Sequence, residues 1–398
     1  MSIDSSNIRT FKTKSDNKAF LGLWASGFCY FAALGFVLPF LPLLLQRSNL
    51  TLAEIGIIYM ISLVFPVLLQ TLWGLLADKI GRKMIIILAT IAVAIVSGLY
   101  PHASSFIHFV LLGLLLYTFL AAATTVTPAL AMDIAGPMTI GKRFGRYRIS
   151  GSIGWIISTA LSGLISQIAG IQTIFYLAAI LNLISAIFIL ISIKEPPTRN
   201  KEVITQGNLR LLIKNKNFAI FLATIFLTNI SGITFVSFLS LYMKDKLTSS
   251  NTIIGWAFSI AAVTEVPCML YLGALSDKIG RKPLIVVALF SYPLRLFLYT
   301  IVSQPYLILP IQLLHGFTFG VFYVASVAFV SDIASESRGT ALGLYNTASN
   351  AGSAVGSGLA GVISNNYGLI YMYQFMTVFS FIPALLFTIM AKESLRKH

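Results

Sequence analysis

The chain is poor in charge. Only 10% of its 398 residues are Asp, Glu, Lys or Arg, against roughly 25% in an ordinary soluble domain. A water-soluble surface cannot be covered with so few charges, so most of this surface must face lipid. Cysteine is scarce too: Cys29 and Cys268 stand far apart inside apolar runs, which excludes a disulfide framework. Histidine occurs four times, never clustered with cysteine, so no metal spacing and no cofactor site is expected. A GxxxxGK[ST] phosphate loop is missing as well, and with it the means of driving work by ATP within this chain.

What is present is hydrophobic. Apolar residues make up 57% of the chain, and runs of about 20, enough to cross a bilayer as helix, recur throughout. Twelve are expected, at about 19–45, 54–76, 84–101, 106–132, 149–169, 172–193, 218–243, 252–275, 284–303, 306–331, 341–364 and 369–391. All must be helices, because lipid cannot satisfy an open backbone edge. The expected class is thus an all-α integral membrane protein. The basic N-terminus precedes an apolar run too long for a cleaved signal and reads as a retained first span. Pro39, Pro42, Pro66, Pro128, Pro267, Pro293, Pro310 and Pro383 fall inside spans and are expected to bend them.

The net charge of +15 is laid out by side rather than by patch. With the N-terminus inside, every Lys and Arg but Arg47, Lys244, Lys246 and Arg295 falls on the cytoplasmic side. That asymmetry predicts a cell-membrane protein with both termini in the cytoplasm. It also argues against nucleic acid as a partner, since no soluble basic domain exists to grip one.

The chain repeats itself. GLLADKIGRK at 74–83 returns as GALSDKIGRK at 273–282, an offset of 199. Gly56 pairs with Gly255, and Asp133-Ile134-Ala135 with Asp332-Ile333-Ala334, at the same offset. Two copies in parallel order predict two six-helix repeats, 1–193 and 218–398. The polar stretch 194–217, with Pro196-Pro197 and six basic residues, reads as a cytoplasmic linker, its basic end suited to anionic lipid. The small residues of GSAVGSGLAG, 352–361, predict close helix contact.

Mid-membrane charges mark a candidate site. Glu265 lies 12 residues before Asp277 and Arg295 lies 14 after Arg281, which puts them roughly 18 and 21 Å above the inner edge. Opposite charges at one depth on consecutive helices are expected to pair. His315, on the next span and farther outward, titrates near neutral pH and is expected to compete with Arg295 for Glu265. The roles expected are proton acceptor for Glu265, tuning cation for Arg295, and a link to the solute for His315. Tyr30 and Asn229 are further candidates for lining a cavity.

The duplicated decapeptide resembles the loop 2–3 signature of the major facilitator superfamily, and helix count and repeat extend that likeness over the whole chain. The resemblance implies a secondary transporter working by alternating access, mostly as a monomer, on small-molecule substrates. It implies that Gly74 and Gly273 allow close packing, and that Asp78 and Asp277 face positive helix ends (that of helix 11 for the first copy). It further implies that Arg82 with Asp133, and Arg281 with Asp332, latch the cytoplasmic side. Within the superfamily, ALGFVLPFLPLLL (33–45), FGRYRISGSIGW (144–155) and LLHGF (313–317) resemble the lactose permease branch and its phenylpropionate permease relatives. That likeness implies substrate contacts at Arg148 and Trp155, and proton coupling through Arg295 and His315. Thr318 stands where the permease has an acid, and Glu265 lies about one turn deeper than the permease's helix 8 carboxylate. The expectation is proton symport of a small organic solute. The alternative is proton-driven multidrug efflux; helix 5 has no late proline, which argues for symport. A non-transporting sensor would need an output domain that the sequence does not contain, and a membrane enzyme would have to be built around Asp133, Arg143 and Arg146.

Overall fold

The computed structural model describes residues 5–135, 140–195, 212, 214–334 and 337–395, apart from the side chains of 5–17, 67, 68, 71, 133, 135 and 140–146. The described residues form helices and turns and no strand. Twelve spans follow in order. Span 1 is Ser5–Val37 continued by Leu41–Arg47. Spans 2 to 6 are Leu52–Ile80, Arg82–Leu99, Phe106–Ala135, Ile140–Ile168 and Ile171–Ser192. Span 7 runs in three pieces, Lys216–Gly232, Thr234–Ser237 and Leu239–Asp245. Spans 8 and 9 are Asn251–Ile279 and Arg281–Ile301. Span 10 begins at Ile308–Ile311 and ends with Phe322–Ile333, and spans 11 and 12 are Arg338–Tyr367 and Leu369–Met390. Ten of these stretches are apolar and long enough to cross a membrane among the described residues. Leu52–Ile80, 29 residues long, has the length of a span. Arg338–Tyr367 is too rich in Gly, Ser and Asn to qualify on hydropathy, because it is packed against neighbours on both faces.

The repeat is visible in how helices start and stop. Thr51 caps span 2 by accepting from the Glu54 amide at 3.2 Å, and Glu54 returns the bond to the Thr51 amide at 2.8 Å. This is a capping box. At an offset of 199, Ser250 caps span 8 by accepting from the Ile253 amide at 3.3 Å. Gly81 (φ +102°) and Gly280 (φ +110°) make the sharp turns from span 2 to 3 and from span 8 to 9. A side chain there would be strained, which is why glycine holds both positions.

Large apolar side chains such as Ile107, Ile168, Ile191, Val378 and Ile389 lie exposed on the outside, as a lipid-facing surface requires. The two halves meet at the end that carries neither decapeptide. There Gln46 donates to Asp245 at 2.6 Å, Thr252 to Gln167 at 2.8 Å, and Ser240 to the Pro39 carbonyl. Glycines let the backbones cross: a Cβ on Gly56 would lie 2.6 Å from the Ser357 carbonyl, and one on Gly163 would lie 2.5 Å from that of Asn251. Span 11 uses its small residues as the sequence predicts, with Gly352 and Gly356 against span 7 and Gly358 and Gly361 against span 2. At the opposite end, Gly74, Gly339 and Gly343 have nothing within 4 Å of where a Cβ would sit. Close packing at Gly74 is therefore not found among the described residues.

Candidate functional site

A cavity of about 280 Å³ lies between the halves. Its apolar walls come from both: Phe31 and Trp155 from the first, Phe235, Phe258 and Phe319 from the second. Its polar lining includes Arg148, Glu265, Arg295, Gln312 and His315.

These groups form a chain across the membrane interior. Arg148 on span 5 approaches Glu265 on span 8 at 3.5 Å, and its guanidinium lies 5.3 Å above the Phe31 ring. Glu265, whose side chain is 14% exposed, faces His315 Nε2 at 4.0 Å. The other imidazole nitrogen, Nδ1, accepts from Arg295 at 3.0 Å. An arginine can only donate, so the ring carries its hydrogen on Nε2, toward Glu265. His315 also stacks on Phe319 at 5.4 Å.

Arg295 is only 2% exposed. It donates to Gln312 at 2.5 Å, Thr318 at 2.9 Å, Tyr299 at 2.9 Å and His315, and lies 4.1 Å above the Phe235 ring. Every one of these partners is neutral. A charge at mid-bilayer costs at least about 2.5–3.5 kcal/mol. Neutral hydrogen bonds and a ring face offset part of this without cancelling the charge.

The expected pair of Glu265 with Arg295 is thus corrected: Glu265 is bound by Arg148 from the other half, and His315 stands between it and Arg295. Equal depth fixed the height of the two charges but not the direction each helix face points. The cavity takes in Arg148 and Trp155 as expected, but Tyr30 and Asn229 are not among its lining residues. Tyr30 is buried beside Phe31, and its hydroxyl has no hydrogen-bond partner among the described residues. Asn229 donates to the Ile225 carbonyl at 2.9 Å and packs on Gly352. Sequence reasoning missed Gln312 and Phe235. Gln312 was within reach of it, since it precedes His315 by three residues and so shares a helix face.

Span 10 reaches this site through a break in its regular helix. Gln312–Leu314 is a tight 3₁₀ turn and Gly316–Val321 a wide π turn, a rare form that concentrates at functional sites. Gly316 and Gly320 bring it onto the backbone of span 8 at Thr264 and Glu265.

At the decapeptide ends, Arg281 meets Asp332 at 3.1 Å, the pairing expected for the second copy, and Gly273 packs on Val324; Asp277, expected to face a positive helix end, is instead paired with Arg281 at 2.5 Å. In the first copy Arg82 lies 3.7 Å from Asp78; the expected partner Asp133 has its side chain outside the described residues. Behind each turn a carboxylate caps the next helix. Glu195 accepts from the Lys83 amide at 3.1 Å, and Glu393 from the amides of Arg281 and Lys282 at 2.9 and 3.0 Å. Partial burial pushes the Glu393 carboxyl up, but the amides of Leu395, Arg281, Lys282 and Ser394 outweigh it and hold the group below its usual range.

Two helical bundles related by a repeat, closed on each other at one end around a charged central cavity, define a multi-pass membrane transporter. Residues 22–375 match the model of the MFS_1 like family, and the chain belongs to it. It is 23% identical over 92% of its length to 96% of an uncharacterized MFS-type transporter of Methanocaldococcus jannaschii. It is 25% identical to the multidrug resistance protein MdtG of Escherichia fergusonii, covering 88% of each chain. Among solved structures, a mutant of the nucleoside transporter NupG superposes with a TM-score of 0.83 at 19% identity, over 94% of this chain and all of that one. A bacterial homologue of the lysosomal transporter Spinster, inward-facing and occupied, gives 0.78 at 15% identity, over 93% and 95% of the two chains. These two likenesses show the fold.

Proposed function

We propose that the chain couples protons to a small organic solute by symport across the cell membrane, its halves rocking about the central cavity. The observation that carries this is Glu265. Among the described residues it is the cavity's carboxylate, and its cation, Arg148, belongs to the opposite half. When a proton replaces Arg148, the halves lose a tie between them, so protonation biases the conformational equilibrium. In this reading Glu265 takes the proton, His315 and Arg295 tune it from the far side, and Arg148 and Trp155 meet the solute. The Arg82–Asp133 and Arg281–Asp332 pairs, each within its own half, hold the decapeptide turns ready to latch when the cytoplasmic side closes, and Arg281–Asp332 is intact in the open state. The basic decapeptide end and both termini face the cytoplasm, and the state described is inward-open. The chain works as a monomer, its units being 1–193 and 218–398 joined by the linker 194–217. The spacings shared with the lactose permease branch support uptake.

A second reading has a specific basis. Relatives named for multidrug resistance, together with the aromatic cavity walls, favour proton-driven export. Purified protein in liposomes with a trapped pH dye separates the two. Pools of sugars, nucleosides, organic acids and cationic drugs are added outside. Internal acidification on solute addition is the expected result; internal alkalinisation establishes antiport instead. No pH response to any pool removes the coupling. Glu265→Gln is expected to abolish proton movement, and unchanged movement in that variant removes Glu265 from the role.

A further inference from the structure

The cavity's charges do not balance. Among the described residues it holds two guanidinium groups, Arg148 and Arg295, and one carboxylate, Glu265. His315 is neutral in the hydrogen-bond arrangement described, and Gln312, Thr318 and Tyr299 bring no charge. One positive charge is left without a counter-ion inside a membrane. The two cations also differ in availability. Arg295 spends four of its five N–H groups on fixed partners. Arg148, with 41% of its side chain exposed, has Glu265 at 3.5 Å and the Phe31 ring at 5.3 Å as its partners among the described residues.

We infer that the solute is a small organic anion, a carboxylate on an apolar body, which takes Arg148 from Glu265 when Glu265 is protonated. Resting on the coupling proposed above, this deepens it by naming the solute's charge and the residue for which proton and solute compete. Glu265 is the place-holder. Ionised, it occupies Arg148 and the cavity carries one excess positive charge. Protonated, it releases Arg148, the excess rises to two, and an anion entering between Arg148 and the Arg295 field lowers it again. A neutral solute does nothing for that imbalance, and a cation worsens it. Among the described residues, the groups that face Glu265 are Arg148 from span 5 and His315 from span 10, with Arg295 of span 9 behind the imidazole, and spans 1 and 7 bring only aromatic and aliphatic side chains to this part of the cavity. The walls of Phe31, Trp155, Phe235, Phe258 and Phe319 suit the apolar body.

The test uses matched pairs: benzoate against benzamide, and hexanoate against hexanamide. Binding to purified full-length protein is read by tryptophan fluorescence, with Trp155→Phe as the control for a signal from the cavity. The carboxylates are expected to bind and the amides not. Carboxylate affinity is expected to rise as pH falls, by up to about tenfold per unit, the slope of one linked proton. Glu265→Gln is expected to bind benzoate tightly and without pH dependence, since Arg148 is then permanently free. Arg148→Gln is expected to lose benzoate binding; because this residue is half-exposed, the variant is the one suited to folding intact. Equal binding of acid and amide overturns the inference, as does a benzoate affinity that Arg148→Gln leaves unchanged. Liposome acidification driven only by neutral or cationic solutes overturns it too, and leaves proton coupling standing. The reverse outcome, pH-linked carboxylate binding with no proton movement in liposomes, supports the anion assignment and removes the coupling.

Discussion

Alanine at Gly56 is a strict test of how the closed end holds together. Its Cβ would lie 2.6 Å from the Ser357 carbonyl oxygen and 2.7 Å from the Gly361 Cα. Both are backbone atoms of span 11, so no side chain can swing away. Ordinary contact begins at 3.4 Å, so spans 2 and 11 must separate by roughly 0.8 Å, an overpacking that costs about 1–3 kcal/mol. If these helices touch here only while this end is closed, the cost falls on that state alone. The equilibrium then moves toward the state in which this end is open by about 5–150-fold. Spin labels at Arg47→Cys and Lys246→Cys, in a Cys29→Ser and Cys268→Ser background, flank the Gln46–Asp245 contact and report the separation by pulsed electron resonance. A new, longer population is expected with Gly56→Ala. Gly98→Ala, whose Cβ would meet only Ala179 at an ordinary 3.8 Å, is the control. An unchanged distance distribution, or an equal shift in the control, would refute the reasoning.

Further outcomes follow from the same geometry. Gly74→Ala is free of contact in the state described, so its cost is expected only when the decapeptide end closes, and the same labels should report a shift in the opposite sense. Gln312→Leu removes the acceptor of the 2.5 Å bond from Arg295, leaving a buried N–H unmatched, and takes one of two donors from the Tyr299 hydroxyl; a loss of about 1–3 kcal/mol is expected as a lower melting temperature in detergent. Glu393→Gln withdraws a negative charge from the start of span 9 at a cost of about 0.3–1 kcal/mol. Because Glu393 titrates lower in the folded chain than unfolded, its stabilisation is complete above the unfolded carboxylate range and is lost as pH falls through the folded value. The acid limb of the melting-temperature profile should therefore flatten in that variant, and a parallel limb would discount the cap.

Much of the fold was open to a reader of the sequence because membranes leave few choices. Apolar length marked the spans, and the offset of 199 marked the repeat. The site was half legible. Arg148, Trp155, Glu265, Arg295 and His315 were found, but their pairing was not. Depth follows from counting residues at a fixed rise, whereas azimuth depends on where each helix starts to turn. Span 10 departs from the regular period on both sides of His315, so no regular period could have predicted that its imidazole would stand between Glu265 and Arg295. Phe235 escaped for a related reason, since span 7 breaks on either side of it at Ile233 and Phe238.

The Gln46–Asp245 contact spans the very interval of the repeat. Each residue is the other's counterpart, so an ancestral homodimer would have placed that position against itself. The residues of the cavity have kept no such symmetry: Glu265, Arg295, Gln312 and His315 correspond to Pro66, Val96, Gly113 and Leu116, and Arg148 to Thr347. After duplication, the turns and caps at the helix ends stayed twinned while the charged lining of the cavity came to be supplied by one bundle and a single arginine of the other. A lineage built this way can exchange one cargo for another by altering a handful of positions, with the repeated framework inherited intact.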